Sequence, residues 1–114
     1  MPLSPIATAL ANELLARHAH VCHPGAAIGA CVIPYGDLCD QAGCPEVTRG
    51  VGQFLGEVAA WCGENAYPPI NSLAVNRDSQ MPGDSYDVAV GCSLLGWPDE
   101  VRACIDFGGY PAAV

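Results

Sequence analysis

Two apolar patterns of helical period meet at a break near residue 43, and that break constrains the fold more than any other feature. Tyr35 to Ala42 reads as a short helix stopped by Gly43. Cys44-Pro45-Glu46 reads as a turn. Thr48 is placed to cap a longer helix running to about Gly63, whose apolar positions are Val51, Phe54, Leu55, Val58, Ala59, Trp61 and Cys62. Two helices joined by a short turn containing glycine form a helix–turn–helix pattern.

The flanking segments build a domain around this unit. Ile6 to about Cys22 is amphipathic, with Ile6, Leu10, Ala11, Leu14 and Leu15 on one face and Ser4-Pro5 as its start. His23-Pro24-Gly25 ends it. Ala26 to Ile33 is a short strand or a buried extended link, broken by Pro34. After Tyr67-Pro68-Pro69, Ile70 to Asn76 reads as a strand. Arg77 to Asp84 is a turn cluster, and Ser85 to Val90 returns as a second strand, giving a β-wing. Pro98, Asp99 and Glu100 open a last helix that buries Val101, Cys104, Ile105 and Phe107 and stops at Gly108-Gly109. The expected fold class is therefore α+β: a winged helix–turn–helix-like domain with an added N-terminal helix and a small β-wing. A single domain over 1–114 comprises a helix and link (1–32), the helix–turn–helix with wing (33–90) and a closing part (91–114). The expected elements are helices at 5–22 and 98–107, the helix–turn–helix at 35–63 and the wing at 70–90. Leu38, Val51, Leu55, Val58 and Ile105 are expected in one core.

Charge limits the choice of partner. Twelve acids stand against four arginines, with no lysine, for a net charge of −8. A nucleic-acid binder ordinarily presents a basic face that displaces counterions from phosphates. Here only Arg17, Arg49, Arg77 and Arg102 are available, so phosphate contact falls to them, to backbone N–H groups or to a partner protein. Half the residues are hydrophobic, 51% against 14% charged, which is enough to fill a core. Seven cysteines, an odd number, together with no signal-peptide pattern after Met1-Pro2-Leu3, point to reduced thiols in a cytoplasmic protein. No stretch approaches the roughly 20 apolar residues of a membrane span.

One block resembles the DNA-binding domain of alkylguanine-DNA alkyltransferases and of their catalytically dead alkyltransferase-like relatives. The family's Tyr-Gly-Glu-Leu-Ala compares with Tyr35-Gly36-Asp37-Leu38-Cys39, its Gly-x-Pro turn with Gly43-Cys44-Pro45, and its Arg-Ala-Val-Gly with Arg49-Gly50-Val51-Gly52. The strand carrying Pro-Cys-His-Arg-Val compares with Asn71-Ser72-Leu73-Ala74-Val75, and the Gly-rich turn after it with Pro82-Gly83-Asp84-Ser85-Tyr86. The likeness covers roughly Ile33 to Tyr86. It implies that Tyr35 assists phosphate rotation during base flipping and that Arg49 fills the gap left by the flipped base. The family's alkyl acceptor is a cysteine activated by a neighbouring histidine. This chain has Ser72 and Leu73 there, with no base beside the serine. The second helix is also longer before the strand than the family pattern.

These readings give an expected non-enzyme whose nucleic-acid contacts are Tyr35, Thr48, Arg49, Gly50, Ser72 and Arg77, with no catalytic residue, metal ligand or cofactor. The partner is duplex DNA or a DNA-handling protein complex, and no membrane. The plainer alternative has Tyr35 capping the core and Arg49 paired with Glu46. His18, His20, Cys22, His23 and Cys31 invite a zinc reading, but no second ligand pair with defined spacing completes it, and histidines near a helix C-terminus suit the dipole without metal. Glu64, Asp78, Asp84 and Asp87 flank the wing as a solvated acidic loop. There is no Walker loop and no dinucleotide fingerprint. The rival function is a small acidic inhibitor that offers carboxylates where a nucleic-acid-binding complex expects phosphates, a DNA mimic of the anti-CRISPR or anti-restriction kind.

Overall fold

The computed structural model describes residues 3–82 and 96–114. Helix α1, Pro5–Val21, starts where Ser4-Pro5 predicts. The Ser4 hydroxyl accepts from the Ala7 N–H, and Pro5 occupies the first turn, where its missing N–H costs nothing. Glu57 holds this cap from outside, accepting from the Ser4 N–H and from its hydroxyl, both at 3.0 Å. A short helix α2, Ile28–Cys31, follows, then strand β1, Ile33–Pro34. Helix α3 covers Tyr35–Gln41, a 3-10 helix Pro45–Gly50, and helix α4 Val51–Glu64. A second 3-10 helix, Ile70–Leu73, leads into strand β2, Ala74–Val75, and helix α5 spans Trp97–Asp106.

The α+β class and the helical elements agree with the sequence expectation. Gly43 ends α3 with φ of +82°, a conformation that favours glycine. Leu38, Val51, Leu55, Val58 and Ile105 are all buried in one hydrophobic cluster, together with Leu10 and Leu14 of α1. Each such side chain removed from water contributes about 1.5–3 kcal/mol. Tyr110, from the C-terminal segment, packs against this same core. It packs edge-on against His18, Tyr67 and Phe107 and donates its hydroxyl to the Pro68 carbonyl. A Cβ at Gly109 would lie 2.7 Å from the tip of the Phe107 ring, so a side chain there would push that ring aside.

Three expectations need correction. The 26–33 segment is neither a strand nor a simple link: Ile28–Cys31 closes one helical turn before β1. Arg17 receives that turn, donating Nε to the Cys31 carbonyl at 2.7 Å and Nη2 to that of Val32 at 2.8 Å. Carbonyls left open at a helix end are thus satisfied by a cation. Thr48 caps no helix. Its hydroxyl donates to the Pro45 carbonyl at 2.8 Å inside the 3-10 turn, and Gly50 precedes α4 without a side-chain cap.

The first strand of the expected wing is the third correction. Ile70 to Asn76 is not one continuous strand. Residues 70–75 run through the interior, all six buried, first as a 3-10 turn and then as β2. β2 pairs parallel with β1, Ile33 against Ala74 and Pro34 against Val75. Burial on both sides forces the turn's carbonyls to find partners inside the protein. Trp97 Nε1 donates to the Ser72 carbonyl at 2.8 Å, and Cys104 Sγ to that of Pro69 at 3.1 Å. The expected second wing strand, 85–90, lies outside the described residues.

Candidate functional site

Three segments converge on one open cleft of about 570 Å³. β1 delivers the chain directly into α3, so Tyr35 and Gly36 stand at the cleft wall at the start of that helix. Tyr35 is half-buried, with its ring packed against the core and its other side on the cleft. The 3-10 helix contributes Thr48 and Arg49. Thr48 also approaches the Cys39 thiol, whose pKa is raised by burial and partly offset by that hydroxyl.

The third wall is the turn leaving β2, which supplies Asn76, Arg77, Asp78 and Ser79. This turn is closed on itself. Gln80 N–H donates to the Asn76 carbonyl at 2.9 Å, and Asn76 N–H to that of Met81 at 2.8 Å. The Gln80 amide nitrogen then donates to the Arg77 carbonyl at 2.8 Å. The result holds Arg77 over α3, where its Nη2 meets Asp37 Oδ1 at 2.6 Å. Asp37 sits in the first turn of α3, a favourable place for a carboxylate.

Four of the six expected contact residues, Tyr35, Thr48, Arg49 and Arg77, are therefore brought to one cleft. Arg49 and Arg77 are two of the chain's four arginines. The other two are engaged elsewhere, Arg17 on the α2 carbonyls and Arg102 beside Asp106 at 3.6 Å. Arg49 is exposed and makes no ion pair with Glu46 or any other acid among the described residues, so the Arg49–Glu46 pairing is not found. Gly50 is exposed beside Arg49, and a Cβ there would meet nothing within 4 Å.

Ser72 is the correction in this set. It is 0% exposed, and its neighbourhood includes Trp97 and the Cys104 thiol, so its side chain offers no surface to a nucleic acid. Read as part of a wing strand and aligned with the family's strand cysteine, Ser72 was expected among the nucleic-acid contacts, and its burial removes it from them. Asn71 next to it is buried as well, and its Oδ1 has no hydrogen-bond partner among the described residues. Asp37 and Asn76 were missed. Asp37 stands in the quoted Tyr35-Gly36-Asp37 motif, but only its contact across 40 residues gives it a role.

The histidine–cysteine segment is divided between the interior and the surface. His18 is buried, with Nε2 2.7 Å from the Cys104 carbonyl, and Cys31 Sγ points at the Val21 carbonyl. His20 and His23 are exposed. Among the described residues no three His, Cys, Asp or Glu side chains are grouped to hold a metal ion. Burial raises the thiol pKa values of Cys22, Cys39, Cys44, Cys62 and Cys104, so these groups stay protonated and weakly nucleophilic at neutral pH. No helix among the described residues is long and apolar enough to cross a membrane. No family model matches the chain, and no curated protein or solved structure matches it either.

Proposed function

We propose that this chain is a non-catalytic recognition domain, similar to alkyltransferase-like proteins, that acts in the cytoplasm by binding duplex DNA or a DNA-handling protein through the cleft. In this reading α3, the 3-10 helix and α4 serve as the helix–turn–helix, and the 76–81 turn is the base of a wing. The observation that carries it is the cleft itself. It joins an aromatic side, a hydroxyl and two arginines from segments far apart in sequence, in a chain with few cations to spare. Guanidinium groups suit phosphate oxygens, and an aromatic wall suits a base or sugar.

The test is fluorescence anisotropy at low salt with labelled duplexes, one fully paired and one carrying a mismatched base. Binding is expected to be weak and only shallowly salt-dependent, since about two phosphate contacts are available. Arg49→Ala should weaken it by about tenfold, in line with roughly 1–3 kcal/mol for a charged hydrogen-bonding contact. It should leave the circular dichroism spectrum unchanged. Absence of binding by the wild-type chain at low salt defeats the direct DNA reading.

A second reading is supported by a different observation. Asp37, Asp40, Glu46 and Asp78 are carried by the same three segments that form the cleft, and the last three are exposed. A surface of that sign suits an acidic inhibitor that mimics DNA toward a nucleic-acid-binding complex. Under that reading, amide replacements at Asp78, Asp84 and Asp87 abolish capture of the target complex, whereas Arg49→Ala does not.

A further inference from the structure

The cleft's two arginines are not in the same state. Arg49 has no acidic partner among the described residues, while Arg77 is held by Asp37 at 2.6 Å. We propose that Asp37 is the specificity-determining residue of the cleft: its carboxylate occupies the Arg77 guanidinium as an internal substitute for phosphate, and an anionic ligand must displace it. This rests on the reading of the cleft as a phosphodiester-binding site and names how that site discriminates.

The geometry supports displacement. Both side chains are substantially exposed, at 66% for Arg77 and 42% for Asp37, so water and ligand can reach the pair. An exposed pair of this kind is weak, and a phosphate oxygen can compete for the guanidinium. Arg77 is fixed from its backbone side by the closed 76–81 turn, so releasing the carboxylate leaves the guanidinium over the cleft instead of freeing the whole segment. Asp78 lines the same cleft. With Asp37 in place, the two arginines there are balanced by two carboxylates. A bare polyanion meets little net attraction, and only a ligand that also engages Arg49 and the Tyr35 wall gains enough to open the pair.

The experiment combines Asp37→Asn, Arg77→Ala, the double variant and Asp40→Asn in the same anisotropy titration with the fully paired duplex. Asp37→Asn is expected to tighten binding by about threefold to fivefold, the upper range for releasing an exposed ion pair. That gain should vanish when Arg77 is alanine. Asp40→Asn removes one negative charge from the same helix and should give a clearly smaller change. If Asp37→Asn leaves affinity unchanged or weakens it, or if its gain persists without Arg77, the proposal is overturned. If no chain binds DNA, the functional reading fails, and titration with inorganic phosphate decides the role of Asp37 separately. The Arg77 Nε–Hε resonance should then shift at several-fold lower phosphate in Asp37→Asn than in wild type. Equal response in both overturns the proposal.

Discussion

Replacing Arg17 by alanine should destabilise the fold and spare the cleft. Arg17 lies half-buried on α1 and makes two short charge-assisted hydrogen bonds, at 2.7 Å to the Cys31 carbonyl and 2.8 Å to that of Val32. A third, to the Ala30 carbonyl, is long at 3.5 Å and adds little. Hydrogen bonds to charged groups contribute roughly 1.5–3 kcal/mol each when their loss leaves a buried group unsatisfied. Here water can enter after truncation, so the total is set at about 2 kcal/mol rather than the sum. With a urea slope of about 1.5 kcal/mol/M, the unfolding midpoint should fall by about 1.3 M at unchanged slope. Arg17→Met keeps the aliphatic stem and should recover only the packing part of the loss. Duplex binding, measured under conditions where the variant is fully folded, should stay within about twofold of wild type, because Arg17 is not among the residues lining the cleft. A change in stability below about 0.5 kcal/mol would refute the capping argument. Loss of binding by the folded variant would show that the 30–32 segment controls the site through β1 and Tyr35.

Three further outcomes follow from named residues. Ala66 ends α4 at φ 58°, with Tyr67 N–H on the Cys62 carbonyl and Ala66 N–H on that of Gly63, a Schellman closure in which an L-residue is disfavoured. Ala66→Gly should therefore raise stability by about 0.5–1 kcal/mol in thermal unfolding, and a loss would contradict the backbone assignment. Burial pushes the Cys104 thiol up to about 12 and raises the pKa values of Cys22 and Tyr110. The folded state then retains protons that the unfolded state releases. Stability should be flat below about pH 8 and fall above pH 9 for the two thiols and only above about pH 10 for Tyr110, by about 1.4 kcal/mol per pH unit for each group, until its folded-state value is reached. Denaturant titrations at pH 8 and 10.5 that coincide would exclude this. Incubation with duplex DNA carrying an alkylated guanine should leave the intact mass unchanged, since Ser72 is fully buried and no histidine is its sequence neighbour. A stoichiometric gain mapping to residues 70–76 would overturn it.

The helices α1, α3, α4 and α5 were legible from local sequence, while the short α2 and the uncapped start of α4 were not. Ser4-Pro5, Gly43 and Pro98 each act within one turn of themselves, through a side-chain cap, a positive φ and a pre-set backbone angle. The apolar positions of α1 and α4 repeat at helical spacing, so Leu10, Leu14, Val51, Leu55 and Val58 could be assigned to the core without knowing what they meet. Tyr35 and Arg49 stand out through short motifs that resemble the alkyltransferase family, and Thr48 through an expected cap position that the fold does not use. Tertiary structure alone decided the rest. A fully buried run such as Ile70–Val75 has no polar face to give it a period, so its 3-10 turn and parallel pairing with Ile33–Pro34 depended on a partner strand about 40 residues away. The same closure put Ser72 in the interior. It set Arg17 against the α2 carbonyls and brought Arg77 to Asp37. Charge and hydrogen-bond partners across such separations are chosen by which elements pack together, and local sequence period carries no record of that choice.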